Sequence, residues 1–161
     1  MAKTVKALNL RVVHPLPGVP FGNVTVLPFS MTFLEGVAVG TDTATAVVHT
    51  DTLVFGKIPK DFKVLQAFIR STAALGASGS TLDIGFAYVD GVDVTAFPAN
   101  IDEWADAQAN VAVFSAIGNT APVPKTFSKD AYLTATINTA ALLTTGSLTG
   151  SIIIQLLGYF E

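Results

Sequence analysis

The segment TLDIGFAY, residues 81–88, alternates without a break. Leu82, Ile84, Phe86 and Tyr88 fall on one side, and Thr81, Asp83, Gly85 and Ala87 on the other. A repeat of two marks a strand with one face in a core, because successive side chains leave the pleat in opposite directions. A helix would scatter these residues around its axis. The same pattern returns along the chain, which confines it to a β architecture.

Just upstream, Leu65, Ala67 and Ile69 form the inner face of another strand, with Gln66 and Arg70 turned the other way. Gly76 to Gly79, GASG, supplies the positive-φ residues of a hairpin connection between the two. Residues 51–90 thus read as strand, Pro-marked turn, strand, Gly/Ser turn, strand. Farther on, Leu133, Ala135 and Ile137 alternate with Tyr132, Thr134, Thr136 and Asn138, and Thr144, Thr145 and Gly146 turn the chain. Residues 150–160 are apolar on both faces, which suits a central position in a packed sheet. Further strands are expected at 5–13, 29–33, 43–49 and 52–55. Many short strands separated by turn residues favour a β-sandwich or jelly roll over an α/β fold.

One segment breaks the pattern. Residues 100–110, NIDEWADAQAN, are rich in Ala and acidic residues and follow Phe97-Pro98. Asn100 with Glu103 three positions on matches a capping box, predicting a short helix or helical loop with Trp104, Ala105 and Gln108 on its buried side.

The N-terminal part differs from the rest. No acidic residue precedes Glu35, whereas Lys3, Lys6 and Arg11 do, so this part carries +3 of a net −3 and leaves −6 for the remainder. Residues 14–23, HPLPGVPFGN, hold three prolines and two glycines, an extended connector rather than core. Residues 1–28 therefore read as an extended arm with one strand, and 29–161 as the sandwich.

A chain of 161 residues suits one domain. Charged residues make up 13%, against a usual share of about 25%, and leave much of the surface to Thr, Ser, Ala and Gly. Such a surface risks self-association as a lone monomer, so contacts buried between subunits are expected. The mild net charge argues against direct nucleic-acid binding. The absence of Cys excludes disulfides, thiolate metal sites and Cys nucleophiles. MAKTVKALNLRVVHPLPG has no apolar run of signal-peptide type, and residues 152–160 fall far short of the ~20 needed for a membrane span. The expectation is a soluble protein with no cleaved secretion signal and no membrane partner.

Reactive constellations are weaker than their structural readings. His14 and His49 lie far apart with no ligand-spaced partners. Asp90-Gly91-Val92-Asp93 lacks the further oxygen ligands of a calcium loop and reads as a turn. Asp102, Glu103 and Asp106 form the densest acidic cluster, without the Arg or His that would accompany a glycosidase pair. Ser78 sits in a false nucleophile elbow, with the second Gly one position early and no helix pattern behind it. The expectation is a non-enzymatic protein with no cofactor and no metal. Among the aromatics, Phe62, Phe68, Phe86 and Tyr88 read as core or cross-strand contacts. Phe21, Phe29 and Phe33 have two readings, core packing or anchors of the arm on a neighbouring subunit.

The run LVFGKIPKDFKVLQAFIRSTAALGASGSTLDIGFAYVDG, followed by YLTATINTAALLTTGSLTGSIIIQLLGYFE, resembles capsid decoration (cement) proteins of tailed bacteriophages. The resemblance covers about the last two-thirds of the chain and rests on strand-turn grammar rather than on a reactive site. It implies a trimeric β-sandwich, made in the host cytoplasm, on the capsid exterior at three-fold or quasi-three-fold positions. Its partners would be the major capsid protein and copies of itself. The capsid- or subunit-contacting residues expected on this reading are Lys3, Lys6, Arg11, Phe21 and Phe29. Two alternatives stay open. One is a β-rich phage fibre, tail or adhesin module that binds a host glycan through Trp104, Asp102 and Asp106; the other is a small jelly-roll coat protein.

Overall fold

The computed structural model describes residues 2, 4–6, 24–42, 45–73, 80–109, 114–117, 124–140, 142 and 149–161. Among these lie strands β1 (Thr4–Lys6), β2 (Thr25–Leu34), β3 (Val37–Ala38), β4 (Thr52–Ile58), β5 (Phe62–Ser71) and β6 (Thr81–Tyr88). They are followed by β7 (Asn100–Ala109), β8 (Phe114–Ile117), β9 (Lys125–Thr126), β10 (Ala131–Ile137) and β11 (Thr149–Phe160). One sheet has the order β1-β4-β10-β6-β7, the other β3-β2-β11-β5-β8 with β9 also on β5. Pairing is antiparallel throughout except for β1 alongside β4.

The inner faces close on each other as an all-β sandwich with one continuous core. Leu27, Phe29, Met31 and Phe33 of β2 face inward from one sheet, and Leu82, Ile84, Phe86, Leu133 and Ile137 from the other. Sequence alternation places Leu82, Ile84, Phe86, Leu133 and Ile137 correctly, whereas Leu27 falls within the bounds expected for the arm. Phe29 of β2 packs directly over Gly56 of β4 in the other sheet: a Cβ on that glycine would lie 2.6 Å from Phe29 Cδ1. Gly56 therefore acts as a socket for the ring.

The connections differ from the sequence expectation. Strands β4 and β5 are in opposite sheets, and so are β5 and β6, so neither link is a hairpin. The turn at Pro59 carries the chain from one sheet to the other through Asp61 at φ 63°, with Asp61 N–H donating to the Phe127 carbonyl at 2.7 Å. Alternation specifies which side chains go inward but not which strand lies alongside. The Gly/Ser connection at 74–79 and the turn at 144–146 lie outside the described residues. Leu65 is also misplaced by strict alternation. It is the extra residue of a bulge opposite Leu157 and Gly158, which returns Val64 and Ala67 to the inner face on either side.

Residues 100–109, the described part of the 100–110 segment, form no helix. Asn100–Ala109 is strand β7 on the edge of β6, interrupted by two register shifts. The shifts let Trp104 and Ala105 both turn inward, a pattern that resembles a helix face in sequence. Asn100 and Glu103 do meet (Nδ2 to Oε2, 3.3 Å), but across an irregular strand rather than a helical turn. Pairing with β6 overrides the local helical preference. Asp83 secures the second irregularity by accepting from the Ala107 N–H at 2.9 Å, where Ala107 takes φ 53°.

Of the strand expected at 43–49, residues 43 and 44 lie outside the described residues, and 45–49 are not a strand. Ala46 makes an isolated bridge to Val37, and the Asp51 carboxylate captures the Val48 N–H at 2.9 Å, which bends the chain before β4. The N-terminal arm is not supported as a separate element. Thr4–Lys6 pairs with Thr52–Val54, Val5 is completely buried, and β2 starts at Thr25, within the bounds expected for the arm. Residues 7–23 lie outside the described residues. The 150–160 strand does take its expected central place, between β2 and β5.

Candidate assembly surface

The two outer faces have different chemistry. On the five-stranded sheet the outward residues include Thr4, Thr52, Thr81 and Thr136 beside Lys6, Lys57 and Tyr132; the Thr52 and Thr136 hydroxyls are 3.3 Å apart, and Lys6 Nζ lies 5.8 Å from the Tyr132 ring centroid. The six-stranded sheet is more apolar. Its central strand β11 turns Ile153, Gln155, Leu157 and Tyr159 outward, all half-buried by their neighbours.

Register builds this face row by row. Leu157 lies between Val26 and Gln66; Gln155 between Pro28 and Phe68, with Ala116 beyond; and Ile153 between Ser30 and Arg70. Val26 remains 43% exposed although it is apolar and lies on a regular strand. One end of the face is polar: Lys63 pairs with Glu161, whose other oxygen accepts from Thr126 Oγ1 at 2.6 Å. Lys63 holds the Glu161 carboxyl below its usual range, and Glu161 raises Lys63 in return. Arg70 is exposed and forms no ion pair among the described residues.

A second cluster sits at the β6–β7 connection. Phe86 packs against Phe97, Phe127, Tyr88 and Trp104, with ring centroids 4.6 to 6.0 Å apart. Tyr88 Oη donates to the Phe97 carbonyl at 2.6 Å, tying the connection down. Lys129 lies over the Tyr88 ring and donates to both Asp90 carboxylate oxygens at 2.9 Å, which lowers the Asp90 pKa. An ammonium thus stands where a calcium ion would need Asp90. Asp93 accepts from the Ala99 N–H at 3.1 Å, as a turn residue does. Among the described residues no group of three or more His, Asp or Glu could hold a metal.

Of the residues singled out in sequence, those that are described do not converge. Lys3, Arg11, Phe21, His14 and Ser78 lie outside the described residues. Lys6 is exposed on β1, and its backbone exchanges two hydrogen bonds with Asp42. Phe29 takes the core reading at 4% exposure, and so does Phe33 at 0%. Trp104 is 3% exposed, so it offers no open ring face for a sugar; Asp106 is exposed and Asp102 half-buried on the β7 edge. His49 is exposed in a turn. What sequence reading missed is the outer face of β2, β11 and β5. Its signal was present in residues 150–160: a strand apolar on both sides needs cover on both sides.

No family model matches the chain, and no curated protein matches it. Two chains of solved structures do. One belongs to the capsid of Ralstonia phage GP4, with 15% identity, a TM-score of 0.70 and 98% of each chain covered. The other belongs to the capsid asymmetric unit of cyanophage Pam1, with 17% identity, a TM-score of 0.57 and 95% of each chain covered. At these identities the likeness is one of fold, and it runs through the whole sandwich.

Proposed function

We propose that the chain is a non-enzymatic structural protein of a phage virion, a head decoration protein that binds the outer capsid surface and bridges neighbouring major capsid subunits. The end-to-end fold likeness to a chain of a phage capsid carries this reading. The scarcity of charge and the half-open apolar face on the six-stranded sheet support it, since both suit a protein that spends its life against others. Association as a homotrimer would multiply weak contacts over the lattice. The glycan-binding alternative loses its platform, because Trp104 packs against Phe86 instead of solvent. Mixing the purified protein with expanded, undecorated heads tests the proposal. Co-sedimentation at micromolar protein is the expected outcome, and its absence would refute the decoration role.

A further inference from the structure

We infer that the outer face of β2, β11 and β5 is the docking surface, and that it takes another protein offering an apolar patch with a carboxylate opposite Arg70. The inference rests on the decoration reading for its partner. The centre of the face, Val26, Pro28, Ile153 and Leu157, carries no charge. Burying it costs no ion desolvation, and its Ser, Thr and Gln neighbours supply hydrogen bonds at the margin.

Charge selects the occupant. Lys63 is neutralised within the chain by Glu161, which leaves Arg70, in register with Ile153, as the face's unpaired charge among the described residues. Two copies packed through this face about a two-fold axis would bring their Arg70 side chains into one buried region, a like-charge arrangement that opposes association. A carboxylate on a different protein gives Arg70 a two-pronged partner. The acidic residues of β7, Asp102, Glu103 and Asp106, sit on the edge of the other sheet, away from this face.

Area points the same way. Strands β2, β11 and β5 with β8 beyond them, spaced about 4.8 Å apart over some 20 Å of strand, give a footprint of roughly 400 Å². That is about half of the ~800 Å² per partner found in stable binary complexes. Such a face is too small to hold a free dimer, yet sufficient when an oligomer sets several copies on a repeating lattice.

The test uses full-length protein, expanded undecorated heads, and the variants Leu157→Glu, Arg70→Glu and Arg70→Lys. Expected results are at least tenfold weaker head binding for Leu157→Glu and Arg70→Glu, with Arg70→Lys intermediate. Mass in solution and Trp104 emission should match wild type in all three. Arg70 is exposed, so its variants report on docking even if Leu157→Glu fails to fold. Wild-type binding together with undiminished binding of Arg70→Glu overturns the inference and leaves the decoration role standing. A fall in solution mass for either Glu variant also overturns it, by making the face a contact between copies. No head binding by wild type overturns the decoration role, and the inference with it.

Discussion

Gly56→Ala tests how the two sheets are held together. The new methyl carbon would lie 2.6 Å from Phe29 Cδ1 and 2.8 Å from Cε1, where carbon atoms prefer about 3.5–4.0 Å. The ring must retreat by about 1 Å, and its neighbours are equally buried. Overpacking of this kind costs about 1–3 kcal/mol. Phe29→Leu removes the clashing ring atoms and alone costs about 1–2 kcal/mol through lost contact. In the double variant the alanine should fit, so the two costs should fall short of their sum by at least about 1 kcal/mol. Urea unfolding at one fixed protein concentration, followed through the chain's single tryptophan, Trp104, measures all four corners of the cycle. A Gly56→Ala variant within about 0.3 kcal/mol of wild type would refute the socket. So would an unchanged cost in the Phe29→Leu background.

Three further outcomes are expected. Gly85→Ala would place its Cβ 2.0 Å from the Asn100 carbonyl oxygen, so β7 must shift; a loss of about 2 kcal/mol or more and a red shift of Trp104 emission are expected from unfolding and fluorescence. Tyr88→Phe leaves the Phe97 carbonyl without its donor and should cost about 1–2 kcal/mol in the same unfolding assay. Asp90, Asp130 and Glu161 are held below the usual carboxylate range by hydrogen bonds from Lys129, Lys57 and Lys63 respectively. Their contribution is complete above that range, about pH 5, and is lost as pH falls through the lowered values. A urea-midpoint series from pH 7 to 2 should stay flat before dropping, and Asp90→Asn with Asp130→Asn should flatten the drop.

What was legible in sequence was local. Leu82, Ile84, Phe86 and Tyr88 mark a strand unaided, since each burial choice follows from its neighbours two positions away. The partner of that strand was not legible. Strand β6 lies between β10 and β7, and the nearest strand in sequence, β5, belongs to the other sheet. Trp104 misled for a related reason: two adjacent inward residues suggest a helix until a bulge supplies another way to bury both. The outer face showed in sequence only as a β11 segment apolar on both sides, with no motif for the rest. It exists only when Val26, Leu157 and Gln66, spread over most of the chain, are brought into one row.

That row also governs timing. Strand β11 joins β2 and β5 into one surface, and the paired residues Leu27 of β2 and Leu156 of β11 are far apart in the chain. A newly made chain that has completed β2 and β5 but not β11 has neither the face nor the sheet that supports it. Pairing across such separations is slow compared with helix or hairpin formation. On the proposed docking role, competence to bind arrives only when β11 inserts between β2 and β5, and a chain made only as far as β5 has nothing to offer a lattice. The central strand is thus a completion check as well as a structural member.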